Sequence, residues 1–175
     1  MKEVLSKTIV AITLAILVMA ASSATQVRGQ QSVKEDGIGL APETRKGARA
    51  LEGSWTVQTT IRNCTTGAPF ATFAKMVTFM QGGTAQEDSV GSAPLARTSA
   101  HGVWSYEGEH NFSYALQFFR FNADGTYGSL TRARWQVEMD ETADSYSASA
   151  TIQVFNPAGT QVATACATET ALRFQ

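Results

Sequence analysis

Residues 53–64 read Gly53-Ser54-Trp55-Thr56-Val57-Gln58-Thr59-Thr60-Ile61-Arg62-Asn63-Cys64. Trp55, Val57, Thr59 and Ile61 alternate with Thr56, Gln58, Thr60 and Arg62. That is the period of a strand with one face on a core and the other in water. The stretch ends on Cys64, and the second of the chain's 2 cysteines, Cys166, lies near the far end. A lone cysteine pair in an exported protein is more often a disulfide than two free thiols. A bridge needs the two Cα atoms within about 7 Å. It would therefore set the first strand beside the last.

Six further strand signals lie between them: Phe70–Met80, Thr84–Val90, His101–Tyr106, Phe112–Phe121, Ser129–Met139 and Ser145–Phe155. The last strand runs Gln161–Phe174. Turn residues punctuate the series: Gly82-Gly83, Glu107-Gly108-Glu109, Asn122-Ala123-Asp124-Gly125, Asp140 to Asp144 and Asn156-Pro157-Ala158-Gly159. Gly91 to Thr98 reads as a longer loop. Short connections favour antiparallel neighbours. The expected fold is all-β, an eight-stranded antiparallel meander closed into a barrel. Antiparallel partners keep a constant sum of residue numbers. Trp55 with Arg173 falls one diagonal step from Cys64 with Cys166, so both pairs fit one ladder. Odd spacing puts Trp55 and Arg173 on one face and the cysteines on the other. An Arg stacked on that Trp would seal one end of the barrel.

The chain before Leu51 has a different character. Lys2 and Lys7 precede an apolar run from Ile9 to Ala21, and Ser22-Ser23-Ala24 supplies small residues for a cut after Ala24. This is the pattern of a signal peptide over 1–24, too short to span a bilayer. Residues 25–50 are polar and read as a flexible tail. Residues 51–175 form the barrel domain. Export with a disulfide implies a secreted or periplasmic protein.

Composition narrows the function classes. Lys and Arg total 14 against 15 Asp and Glu, which leaves no basic footprint for nucleic acid. With 2 Cys and 2 His, no zinc site can be built from those residues alone. No metal or cofactor is expected. Membrane insertion is also excluded: the first strand turns Thr56, Gln58, Thr60 and Arg62 outward, and the sixth turns Arg132, Arg134, Gln136 and Glu138 outward, which cannot face lipid.

Gly53-Ser54-Trp55 opening the first strand, with Arg173 near the end of the last, resembles the lipocalin and calycin pattern. The resemblance implies a cup-shaped, eight-stranded, calycin-like barrel that holds a small apolar molecule inside. The domain also resembles a set of uncharacterised secreted bacterial proteins. That likeness is carried by Gly53-Ser54-Trp55, Asn63-Cys64, Thr72-Phe73, Gly82-Gly83-Thr84, His101-Gly102-Val103-Trp104-Ser105 and Cys166-Ala167-Thr168, and it implies no activity.

Three classes of function stand. The first is a binding barrel whose partner is a small apolar ligand. Its interior strip is Val57, Thr59 and Ile61, then Tyr114, Leu116 and Phe118, then Trp135 and Val137. Ala163, Ala165 and Ala167 form a small-residue wall on the face of Arg173. The same side chains could instead simply fill the barrel as core, since eight strands enclose just enough room for either outcome. The second class, an enzyme, would draw on His101 with Glu87, Arg97 and Glu138. It is the less favoured, because no GxSxG, HExxH or phosphate loop appears. A haem site on His101 or His110, or a Ca²⁺ site on Asp140, Glu141 and Asp144, is weaker still. The third class is a protein-binding or envelope-associated structural module with a filled core. Its contact loops would be 65–69 and 91–99. Oligomeric state is not indicated.

Overall fold

The structure is a computed structural model and describes residues 47–90 and 96–175. Eight strands follow one another: β1 Gly53–Arg62, β2 Pro69–Met80, β3 Thr84–Ser89, β4 Ala100–Gly108, β5 Asn111–Phe121, β6 Tyr127–Met139, β7 Ser145–Phe155 and β8 Gln161–Arg173. Each pairs antiparallel with the next, and β8 returns to β1 to close the barrel. This is the meander the strand periods require, and it is consistent with the calycin resemblance. The expected signal peptide and most of the tail, residues 1–46, lie outside the described residues, as does part of the 91–99 loop.

Closure rests on one seam. β1 and β8 pair from Trp55↔Arg173 to Arg62↔Cys166. Cys64 continues past Arg62 and bonds to Cys166, with Cα atoms 5.0 Å apart and a sequence separation of 102. The inward face of β1 carries Trp55, Val57 and Thr59, all buried, while Thr56 and Gln58 are exposed. The sulfurs take the opposite face from Trp55, since Cys166 pairs with outward Arg62.

One end of the barrel is plugged. Leu51 and Trp55 are fully buried, and the Trp55 indole N–H donates to the Leu51 carbonyl at 3.0 Å. The Arg173 guanidinium lies 4.2 Å from the Trp55 ring centroid. It also donates to the backbone carbonyls of Ala50, Glu52 and Ala143. The Arg thus ties three chain segments together beyond stacking on the indole. Gly53 sits beside it at φ 118°, where a Cβ would come 3.1 Å from Arg173 Nη1. Tyr146, Phe79, Phe112 and Met139 are buried behind this plug, with the Trp55 and Tyr146 rings 5.0 Å apart.

A second glycine shows how tightly the wall is drawn. A Cβ on Gly102 would lie 1.7 Å from the Ala115 carbonyl oxygen on the neighbouring strand. Neither backbone can yield without breaking the β4–β5 ladder, where Gly102 pairs with Leu116. Gly102→Ala is expected to destabilise the barrel by about 1–3 kcal/mol. Urea denaturation measures it, and an unchanged midpoint would contradict the close approach.

Candidate ligand-binding site

Inward positions change character along the barrel axis. Towards the plug they are Trp55, Val57, Val77, Phe79, Phe112, Val137 and Tyr146, packed and buried. Towards the other end they enclose a cavity of about 210 Å³. Its apolar wall includes Ile61, Phe73, Phe118, Ile152, Val154 and Ala165. Polar and charged side chains also line it: Thr59, Lys75, Glu87, Arg97, Arg120, Thr131 and Trp135. Larger hollows, of about 800 and 850 Å³, lie on the outer wall beside β8 and over the plugged end, open to solvent.

Alternation explains the charged lining. In β2, Lys75 shares a face with buried Val77 and Phe79. In β8, Glu169 shares a face with Ala167 and Ala171. In β3, Glu87 shares a face with Ala85. The three charges therefore meet inside. Lys75 Nζ contacts Glu87 Oε2 at 2.9 Å and is also ion-paired with Glu169. Arg97 Nη2 reaches Glu87 Oε1 at 3.0 Å. Hydroxyls complete the Glu169 carboxylate: Thr59 donates to Oε1 at 2.8 Å and Tyr114 to Oε2 at 2.5 Å. The ammonium of Lys75 also lies 4.6 Å from the Trp135 ring centroid, and Trp135 stacks on Tyr114. Desolvating four charges is costly unless each is paired, and here each has a partner.

Burial pushes the Glu169 carboxyl up from its usual range, against the opposing pull of Lys75 and of the hydroxyls. Burial, then the charge of Glu169, pushes Tyr114 well above the ordinary phenol value, so it remains a donor. A raised carboxyl pKa means that the folded state holds a proton the unfolded chain has released. Between the unfolded value, about 4.3, and the raised one, this group therefore adds stability as pH falls. Above the raised pKa it adds no slope. Exposed Asp124 and partly exposed Asp140, lowered by hydrogen bonds, act the other way and lose their contribution as pH falls. Comparison with Glu169→Gln isolates the buried group. The wild-type melting midpoint should gain on the variant's as pH falls from above the raised pKa towards the unfolded value of about 4.3. A constant difference would contradict a strained buried carboxyl.

Among the described residues, two polar atoms at the cavity have no partner. Thr131 Oγ1 and Trp135 Nε1 are buried without a hydrogen bond, and both residues line the cavity. Tyr146 OH is likewise unpartnered, nearer the plug. Unsatisfied buried donors are uncommon and point to a site that something else completes.

The residues expected as an interior strip divide between the two halves. Thr59, Ile61, Phe118 and Trp135 line the cavity. Val57, Leu116 and Val137 are buried core outside it, and Tyr114 acts through its hydrogen bond to Glu169. Ala165 lines the cavity, whereas Ala163 is exposed near the open end. Lys75, Glu169, Thr131, Phe73, Ile152 and Val154 were not anticipated. Strand parity was the available signal for each. His101 and Glu138 face outward and are exposed, so the charge cluster forms without them. Glu87 and Arg97 belong to the cavity instead.

Fold and site together define a plugged barrel with a charged floor beneath a small open cavity. No protein-family model matches the chain, and no curated protein does. One solved structure similar to it is the S-type phycobiliprotein lyase CPES from Guillardia theta. The identity is 13%, the TM-score 0.38, and the match spans 78% of this chain and 99% of that one. At that level the likeness says nothing about what this chain binds. Among the described residues no helix is long and apolar enough to cross a membrane.

Proposed function

We propose that this chain is a binding protein, secreted or periplasmic, that holds a small and largely apolar molecule in the open half of its barrel. The observation that carries this reading is the cavity of about 210 Å³ lined by apolar walls and by two unpartnered polar atoms. A barrel built only to be stable has no need of it. Filling the space with side chains would gain packing, and burying Lys75, Arg97, Glu87 and Glu169 costs solvation that apolar residues would avoid. A buried charge cluster lining a cleft makes a functional-site candidate. The disulfide fits an oxidising compartment.

Native mass spectrometry of the protein purified from the organism that makes it tests the reading, beside the Ala165→Phe variant. Ala165 lines the cavity, so a Phe there occupies the space. The wild type should carry a small-molecule adduct that the variant lacks, and the variant should melt at or above the wild-type temperature because it fills a void. A clean apo mass for the wild type, with a strongly destabilised variant, would contradict the proposal and favour the filled-core structural module.

A further inference from the structure

Resting on the binding reading above, we propose that the molecule is a compact carboxylic acid, with a single ring or a short branched chain, whose carboxylate is taken by Arg97, Arg120 and Thr131. Among the described residues the cavity is lined by three cations, Lys75, Arg97 and Arg120. Two carboxylates face them. Glu87 is taken by Lys75 and Arg97, and Glu169 by Lys75, Thr59 and Tyr114. One positive charge is left over.

The excess sits on Arg120. It has no ion pair among the described residues, and it bridges by its backbone to Arg97. Both guanidiniums flank the same ring: Arg97 lies 3.6 Å and Arg120 5.8 Å from the Phe118 centroid. Arg120 is exposed at the cavity mouth, and the burial of part of its side chain, then the charge of Arg97, pulls its pKa down. Thr131 pairs with Phe118 across β5 and β6, so its unpartnered hydroxyl lies level with that ring.

The spare groups agree in sign. A guanidinium and an indole N–H can only donate, and a hydroxyl can donate too. No carboxylate is spare, so an amine would find no charge partner, while an anion meets two guanidiniums. Size narrows the class further. A cavity of about 150 Å³ admits a benzene ring, and this one measures about 210 Å³. Ile61, Phe73, Ile152 and Val154 supply the walls for one apolar body.

Calorimetric titration of the full chain decides it, using benzoate and 3-phenylpropionate against benzamide, 3-phenylpropanamide and 3-phenylpropylamine. At least one acid should bind about 10- to 100-fold more tightly than its amide, the range of a charge-assisted hydrogen bond. Arg120→Gln should remove most of that preference and leave amide binding unchanged. Thr131→Val should weaken the acid alone, and outward Arg134→Gln should change neither. Equal affinity of acid and amide, a preference for the amine, or an acid preference that survives Arg120→Gln would overturn the carboxylate assignment while leaving the cavity reading in place. If no probe binds to protein that circular dichroism shows to be folded, both fall together.

Discussion

Cys64→Ser is expected to lower the stability of the oxidised protein by about 4–5 kcal/mol, the chain-entropy value for a loop of this length. The two cysteines are separated by 102 residues, so the bond closes nearly the whole barrel domain. It does so at the seam where a meander opens first, because β1 and β8 are joined by no turn. Eight backbone pairs, from Trp55↔Arg173 to Arg62↔Cys166, hold that seam otherwise. For a domain of this size the loss amounts to roughly 15 °C in melting midpoint. Cys166→Ser, the double variant and the reduced wild type should all melt together with Cys64→Ser. Unchanged melting in any of them would contradict a stabilising bridge across the seam.

The second large effect concerns the charged floor. Lys75→Met is expected to cost about 3–5 kcal/mol, because it strands the Glu169 carboxylate inside the barrel without a cation. Glu87 would keep Arg97, but Glu169 would keep only the Thr59 and Tyr114 hydroxyls. Glu169→Gln alone should cost about 1–2 kcal/mol, since the amide oxygen can accept from only one of the two hydroxyls, and the other must turn to accept from the amide NH2. Combined, the two changes should cost less than their sum, with a coupling of about 1–3 kcal/mol. Urea denaturation of the two single variants and the double variant gives the cycle. Strict additivity would mean that Lys75 and Glu169 do not sense one another.

Much of the barrel was legible before any coordinates. The alternation in β1 and β6 is clean because both outward faces are polar: Thr56, Gln58 and Thr60 on one, Arg132, Arg134 and Gln136 on the other. The cysteine spacing then supplied closure. β2 hid its charge for the opposite reason. Its outward Met76 and Met80 are 51% and 40% exposed, so apolar residues occupy both faces and the inward Lys75 carries no contrast. Glu169 stands on the same parity as Ala165, Ala167 and Arg173, yet a carboxylate there looks like a solvated position until Lys75 is known to face it from across the barrel. His101 pairs with Gln86, next to Glu87 in the β3–β4 ladder, but points to solvent, while Arg97 bridges to Arg120 on β5, so sequence proximity joins residues that the barrel wall separates. Whether the interior is hollow or filled was not readable at all. It depends on side-chain volumes summed across all eight strands, and no single strand carries that information. The answer differs between the two halves: Val57, Leu116 and Val137 pack solidly, while Ile61, Ile152 and Val154 border empty space.

That division is the claim on which the functional account turns, and methyl NMR tests it most directly. On titration with 3-phenylpropionate, the methyl resonances of Ile61, Ile152 and Val154 should shift and saturate, while those of Val57, Val77, Leu116 and Val137 stay in place. Shifts confined to the outward methyls of Val103, Val162 and Leu172, or no shifts at all, would contradict it.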